Sequence, residues 1–153
     1  MSTGYIRADL RRLVAARADY LCEYCLIHEE DSFFGCEVDH VISEKHGGLT
    51  REDNLAYACL VCNRKKGSDV ASIVPETGEL VRLFNPRTDR WSDHFGLSPL
   101  GPHGIIMILA STPIGKVTSQ LLGLNDSPRL LEREALRQIG RYPTPAAQAR
   151  LGK

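Results

Sequence analysis

Residues 22–67 read CEYCLIHEEDSFFGCEVDHVISEKHGGLTREDNLAYACLVCNRKKG, and this stretch holds most of the residues that predict a fold and a function. It contains two CxxC pairs separated by 33 residues: Cys22 with Cys25, and Cys59 with Cys62. Two residues between paired cysteines let both sulfurs turn toward one ion, and four thiolates form a closed tetrahedral zinc site. The spacing therefore predicts a structural Zn²⁺ that closes a long loop. Because no ligand position is left open, this ion should do no chemistry itself.

The paired spacing has two other interpretations. The four cysteines could be ordinary buried thiols, or they could be redox pairs, although both pairs would then need partners. The fifth cysteine, Cys36, lies in an alternating stretch and is interpreted as a core residue of a strand.

The residues between and after the cysteines predict two short strands and a helix. Residues 36–42 alternate in polarity like a strand, and residues 55–59 form a second strand. The polar loop between them carries a Gly-Gly turn. Residues 60–66 favour a helix that Gly67 ends. The order is therefore strand, long loop, strand and helix.

An amphipathic helix is predicted before the first cysteine, over residues 6–20. Its apolar face contains Ile6, Leu10, Leu13 and Val14.

The sequence changes in character after residue 70. A hairpin is expected between ELVRLF (79–84) and RWSDHF (90–95), followed by a buried strand at 104–110. Prolines in the first turn indicate two helices, which begin near residues 112 and 127, and the tail after Tyr142 is expected to be loose. One face of the second helix is formed by Leu131, Ala135, Leu136 and Ile139.

These elements predict an α+β protein with two parts. Residues 1–70 form a zinc-stabilised core, and residues 71–153 form an extension, with a hairpin, a strand and two helices, that packs on the core.

Composition narrows the classes of function. The chain has 153 residues with 19 basic and 19 acidic side chains, which excludes a generally basic protein that coats nucleic acid by charge alone. Residues 1–70 carry nine basic and twelve acidic side chains, so a polyanion would need bound cations or a local basic cluster there.

The sequence shows no signal-peptide pattern and no apolar stretch of bilayer length. We therefore expect a cytoplasmic protein with no membrane partner.

The loop closed by the cysteines contains Asp39-His40 and Asn54, and Asn63 follows directly after Cys62. The spacing is 14 residues from His40 to Asn54 and nine from Asn54 to Asn63. With the CxxC pairs and the HGG loop, this pattern over residues 20–67 resembles the HNH endonuclease family in its four-cysteine zinc form. The resemblance implies a ββα-metal fold and metal-dependent cleavage of DNA.

The chemistry of phosphodiester hydrolysis agrees with that resemblance. The reaction needs an activated water, a Lewis acid and relief of charge on the leaving oxygen. Histidine is the side chain suited to accept a proton at neutral pH, so His40 is the natural general base. The resemblance assigns Asp39 and Asn63 to a cation that contacts the scissile phosphate and the departing 3′ oxygen. Asn54 is expected either to orient His40 or to pin the loop by hydrogen bonds.

Asp39 and His40 are adjacent, so their side chains point to opposite faces of a regular strand. The strand must therefore bend at this point, or the cation must sit at its end. Asn63 stands where many family members have histidine. A carboxylate and an amide oxygen suit Mg²⁺ or Mn²⁺ better than Zn²⁺. We expect Mg²⁺ or Mn²⁺ as the catalytic cofactor, distinct from the structural zinc.

Three basic residues follow Asn63 directly, namely Arg64, Lys65 and Lys66. Beside a phosphate-binding cation they would contact the DNA backbone, whereas on their own they would be the solvated end of a short helix. His46 in the HGG loop would contact phosphate or stabilise the loop.

Two other functions fit these residues. A non-catalytic zinc module could bind nucleic acid or protein, but it would have no need of the intact Asp39, His40, Asn54 and Asn63. An RNase could use the same site, because the chemistry acts on phosphates rather than bases.

No base-reading module is recognisable, so we expect either cleavage with little sequence preference or targeting by a partner protein. A double-strand break would require a homodimer or two successive nicks.

Overall fold

The computed structural model describes residues 5–98 and 105–152, and it combines helices with antiparallel sheets of two strands each. This arrangement confirms the α+β class. The helices are α1 (Ala8–Arg17), α2 (Leu60–Lys66), α3 (Trp91–His94), α4 (Pro113–Leu122), α5 (Ser127–Gln138) and α6 (Pro145–Ala149). The strands are β1 (Cys36–His40), β2 (Leu55–Cys59), β3 (Ala71–Ile73), β4 (Leu80–Arg82), β5 (Phe95–Leu97) and β6 (Ile108–Ala110).

Across the described ranges, no helix has the length and hydropathy that crossing a bilayer requires.

Strands β1 and β2 form an antiparallel hairpin, and α2 follows β2 without a connecting loop. The register pairs Cys36 with Cys59 and His40 with Leu55. Both predicted strands and the predicted helix are confirmed, although β1 already ends at His40. The helix ends at Gly67, whose φ of +53° lies in the region that favours glycine. Side chains of α2 contact one face of β1, as the hydrogen bonds described below show.

Helix α1 covers the other face of the hairpin. Val14 packs in one cluster with Val38, Leu55 and Tyr57. The helix is shorter than predicted, and Leu13 is 41% exposed, so the predicted apolar face is wrong at that residue. The reason is that α1 turns the side with Val14 and the small Ala15 toward the strands.

The strand pairing of the extension differs from the prediction. Strand β4 pairs with β3, with Ala71 opposite Arg82, and not with residues 90–95. The Asn85-Pro86 segment is instead a turn in which the Asp89 carboxylate accepts from the backbone N–H of Asn85 and from Arg82. Strand β5 pairs with β6. The predicted strand 104–110 is shorter, and its first residue lies outside the described residues.

Helix α5 turns a different face to the core from the predicted one. Leu131 and Ile139, at the two ends of the predicted apolar face, are 72% and 71% exposed. Arg129 and Arg133 are buried instead. The Arg133 guanidinium donates to the carbonyl oxygen of Ile106 at 3.0 Å. A buried guanidinium is tolerated where it finds acceptors, and helical periodicity alone does not reveal such acceptors.

Residues 143–152 are ordered rather than loose. They include α6, in which the Thr144 side chain accepts from the backbone N–H of Ala147 and caps the helix. Ala147 is fully buried. The extension therefore has α4, α5 and α6 besides the short α3, where two helices were predicted.

The extension packs on the zinc-ligand region through buried hydrogen bonds and apolar contacts. The indole N–H of Trp91 donates to the carbonyl of Tyr24, and the hydroxyl of Tyr142 donates to the carbonyl of Cys25, each at 2.9 Å. The largest apolar cluster contains buried residues from both sides, among them Leu21, Ala58, Phe84, Ile108 and Leu122. The boundary at residue 70 stays a prediction, and this packing provides a test of it.

We predict that a protein of residues 1–70 does not fold cooperatively, even with zinc, because it loses the apolar partners supplied by residues 84–147. The test is thermal unfolding, followed by near-ultraviolet circular dichroism, of the short and full-length chains with equimolar Zn²⁺. A cooperative transition of the short chain, near that of the full chain, would show that the core needs no extension.

Candidate functional site

The four paired cysteines meet at one point. The Sγ atoms of Cys22, Cys25, Cys59 and Cys62 all lie within 4.8 Å of one another, and all four residues are buried. The sulfurs of Cys25 and Cys59 are 3.8 Å apart. Zinc bound to four sulfurs at about 2.3 Å places neighbouring sulfurs roughly 3.8 Å apart, so the cluster fits a tetrahedral zinc site. Cys36 lies outside this cluster and packs against the core.

The local backbone explains how each pair turns inward. The backbone N–H of Cys25 points at the sulfur of Cys22, and Leu26 reverses the chain with a φ of +64°. Cys59 is the last residue of β2 and precedes α2, and Cys62 lies in the first turn of that helix. One pair therefore comes from a tight turn and the other from a strand–helix junction.

The charge states of the four sulfurs depend on one another. Burial raises the pKa of the Cys22 thiol, whereas hydrogen bonds from Cys22 and the other cysteines lower the pKa of Cys59. Four buried thiols cannot all ionise against this mutual repulsion. A bound dication removes the conflict, because it replaces the thiol protons.

Arg129 of α5 contacts the cysteine cluster from the extension. Its Nη2 atom lies 3.0 Å from the sulfur of Cys25 and 3.6 Å from that of Cys59. Burial lowers the pKa of the Arg129 guanidinium, but the sulfurs, Cys25 first, raise it by more, so the net pKa is raised. The guanidinium thus offsets the negative charge that four thiolates keep around a dication. No pattern in the sequence indicates this contact, which spans 104 residues.

Asp39 forms a buried ion pair with Lys66. The Nζ atom of Lys66 lies 3.2 Å from Oδ2 of Asp39 and 3.1 Å from the carbonyl oxygen of His40. The exposed fractions are 3% for Asp39 and 2% for Lys66. The expectation that Lys66 contacts DNA is therefore corrected: its ammonium faces the β1 backbone and the Asp39 carboxylate instead of solvent.

Asn63 is anchored beside this pair by Glu37. Its Nδ2 atom donates to Oε2 of Glu37 at 3.0 Å. Its Oδ1 atom is buried and has no hydrogen-bond partner among the described residues. Glu37 and Asp39 share a face of β1 by the two-residue period, and Asn63 and Lys66 share a face of α2 by the three-residue spacing. The two predicted ligands Asp39 and Asn63 thus project from facing elements.

His40 points to the opposite face of β1, as the alternation predicts, and it is 1% exposed. Its Nε2 atom lies 2.8 Å from Oγ1 of Thr50, and that hydroxyl donates to Oε1 of Glu44 at 3.3 Å. A hydroxyl has a single proton, and a carboxylate only accepts. When the Thr50 hydroxyl donates its hydrogen bond to Glu44, it can only accept one from the Nε2–H of His40.

Both hydrogen bonds of Thr50 can form together only when Nε2 of His40 carries a proton, which leaves the Nδ1 lone pair of a neutral ring free. Nδ1 is buried and has no hydrogen-bond partner within the described ranges. Thr50 and Glu44 were not among the predicted site residues. Glu44 follows His40 by four residues, but nothing in a loop sequence indicates that its side chain turns back.

Asn54 holds the loop and does not contact the His40 ring. Its Oδ1 atom accepts from the N–H of Ile42 at 2.9 Å, and its Nδ2 atom donates to the carbonyls of Ile42 and Leu49 at 2.8 and 2.9 Å. Of the two roles predicted for Asn54, the structure agrees with pinning the loop. Gly48 is packed against this junction: a Cβ there would lie 1.7 Å from the carbonyl oxygen of Ile42.

The remaining candidate residues lie on the surface. Arg64 and Lys65 are exposed on α2, and Lys65 pairs with Asp126 at 2.6 Å. His46 is exposed in a 3₁₀ turn, Glu44–His46, that ends at Gly47. These three side chains are accessible to a ligand, in contrast to Lys66.

The comparisons with known proteins agree with the cysteine and Asp-His pattern. Residues 22–69 match the family model described as HNH endonuclease, and this confirms the resemblance over that part of the chain. No curated protein and no solved structure matches the chain.

We predict that Arg129→Leu weakens zinc retention by roughly 10- to 100-fold, the usual effect of losing a partner of a metal ligand. Arg129→Lys should fall between this variant and the wild type, because it keeps the charge. Zinc transfer to a coloured chelator measures the effect. Arg51→Leu, which removes an exposed pair with Asp53, is the control. Equal zinc transfer from all four proteins would contradict the role of Arg129.

We predict that Gly48→Ala destabilises the protein by about 2 kcal/mol or more, because the added methyl group overlaps the Ile42 carbonyl and the Asn54 amide. Gly96→Ala is the matched control, since a Cβ at Gly96 meets no atom within 4 Å. Urea unfolding of both variants measures the difference. Two equal unfolding midpoints would contradict the close packing at Gly48.

Proposed function

We propose that the HNH endonuclease domain at residues 22–69 hydrolyses phosphodiester bonds in DNA, with His40 as general base and a divalent cation held by Asp39 and Asn63. The observation that carries this proposal is the surroundings of His40: its Nε2 atom lies 2.8 Å from Oγ1 of Thr50, and its buried Nδ1 atom has no hydrogen-bond partner among the described residues.

The tautomer of His40 supports its role as a base. A general base must offer a lone pair to the proton of the attacking water, and Nδ1 offers it without a prior rearrangement. After the transfer, both ring nitrogens carry protons, and the Nε2–H group donates to Oγ1 of Thr50. Oε1 of Glu44, 3.8 Å from Nε2, stabilises the positive ring.

Asp39 and His40 are the last two residues of β1, so a cation at the end of the strand could serve one phosphate together with His40, and Asp39 with Asn63 of α2 fits a hard divalent cation there. Asn63 has a buried amide oxygen without a partner among the described residues, and a carboxylate such as Asp39 is a ligand that Mg²⁺ and Mn²⁺ prefer. Lys66 donates to Oδ2 of Asp39, so Oδ1 can still serve as a ligand. When bound, such a cation supplies Lewis-acid stabilisation of the phosphoryl and leaving oxygens.

The zinc cluster has a separate role in this proposal. Four cysteine ligands leave no open position for water or phosphate. The cluster therefore acts by holding α2 against the hairpin, which keeps Asn63 and Lys66 opposite β1.

DNA would be bound mainly through phosphate contacts from Arg64, Lys65 and His46, which are exposed. The surface pair of Lys65 with Asp126 is worth at most about 1 kcal/mol, so phosphate can replace Asp126 at little cost. Binding through phosphates is weakened by salt and carries no direct sequence information. We therefore propose cleavage with little sequence preference.

The test is plasmid nicking by the zinc-loaded protein with Mg²⁺ or Mn²⁺, with EDTA, and with His40→Ala. We predict that His40→Ala lowers the nicking rate by 100-fold or more, since general bases contribute about 10²–10⁴. His28→Ala is the control, because His28 caps the short turn Glu29–Asp31 and contacts the ring of Tyr20, outside the proposed site. RNA of matched sequence is included as a competing substrate.

Nicking that needs both the cation and His40 would support the proposal. Cleavage of RNA but not of the plasmid would assign the same site to an RNase. A folded, zinc-loaded protein that cleaves neither would contradict catalysis and favour a module that only binds.

A further inference from the structure

We infer that Glu37 is a positioning residue for the divalent cation of the proposed site: it fixes the Asn63 side chain so that the amide oxygen, and not the NH₂ group, is presented to the cation. This inference rests on the proposed function, and it assigns a role to a residue outside the Asp-His-Asn-Asn pattern.

The chemistry of the pair determines the orientation. A carboxylate can only accept hydrogen bonds, so the group of Asn63 that lies 3.0 Å from Oε2 of Glu37 must be the NH₂ group. The oxygen is then forced to the other side of the amide. That oxygen is buried, since Asn63 is 4% exposed, and it has no partner within residues 5–98 and 105–152.

An asparagine needs this constraint more than a histidine or aspartate would. The two ends of its amide have almost the same size, so packing alone does not choose between them. A flipped Asn63 would direct N–H groups toward a cation, which is repulsive. A charge-assisted hydrogen bond from the NH₂ group to Glu37 selects the productive orientation.

The position of Glu37 in β1 brings its carboxylate next to the Asn63 side chain of α2. Glu37 lies two residues before Asp39 and therefore on the same face of β1, opposite α2. Lys66, one helical turn beyond Asn63, donates to Asp39 in the same way. The two contacts hold β1 and α2 together and set both predicted ligands, one through Glu37 and one through Lys66.

The test measures Mn²⁺ binding to the zinc-loaded full-length protein by calorimetry and electron paramagnetic resonance, without substrate. Asp39→Asn should abolish the binding and thereby identify the site. We predict that Glu37→Gln weakens Mn²⁺ binding by roughly 10-fold or more, because a glutamine amide can donate as well as accept and no longer selects one orientation. Glu52→Gln, at an exposed acidic residue, is the control for the loss of one negative charge.

The double variant Glu37→Gln/Asn63→Asp separates orientation from charge and from misfolding. It has the wild-type net charge, because one carboxylate is lost and another is gained. The introduced glutamine can donate to one oxygen of the introduced aspartate, and the other oxygen faces the cation in either orientation. We expect the Mn²⁺ affinity of this variant to return to within about 3-fold of the wild type.

Each outcome has a distinct meaning. Wild-type protein that binds no Mn²⁺ would overturn the proposed cation site and this inference with it. Wild-type binding that Glu37→Gln leaves unchanged would overturn the inference alone. Loss in Glu37→Gln without recovery in the double variant would also overturn it, because Glu37 would then act by something other than orientation.

Discussion

The convergence of four cysteine sulfurs at one point holds the two ends of the hairpin region together. Because Cys25 and Cys59 approach within 3.8 Å, the turn that follows α1 is tied to the end of β2, and every residue between them becomes a closed loop. The second pair spans the junction of β2 and α2, so the direction of α2 is set where the helix begins. Asn63 follows the last cysteine directly, and the same constraint fixes its place opposite β1.

The extension contributes to this centre by charge as well as by packing. Thiolates around a dication keep a negative charge, and in an apolar core that charge needs a compensating group. Arg129 provides it from α5, while Trp91 and Tyr142 satisfy the carbonyl groups of the first cysteine turn. The two halves of the chain are thus joined at the point where the core would otherwise hold unsatisfied charge and unpaired backbone groups.

The elements that were predicted correctly are those whose ends are marked by residues close to them in the chain. The hairpin strands and α2 are bounded by cysteines and by Gly67, and the α+β class follows from their order.

The predictions that failed concern burial, which depends on contacts with residues distant in the sequence. The helical period predicted that Leu131 is buried, but Leu131 is exposed. Arg129 is buried instead, because its guanidinium contacts the cysteine sulfurs. Lys66 was expected at the surface, but it is buried because its ammonium group pairs with the Asp39 carboxylate. The positions of Glu37 and Lys66 could have been found, since the strand and helix periods place them beside Asp39 and Asn63.

The polar residues buried on the two faces of β1 are difficult to explain by stability. A buried ion pair such as Asp39–Lys66 is often no better than apolar residues of similar volume. The unpartnered Nδ1 of His40 and Oδ1 of Asn63, taken among the described residues, each forgo a hydrogen bond at a cost of about 1–3 kcal/mol. A scaffold that only held zinc would gain by replacing them. Groups that remain buried and unsatisfied against this cost are typical of sites where a ligand completes the hydrogen bonding, as a water at Nδ1 of His40 and a cation at Oδ1 of Asn63 would do where β1 ends.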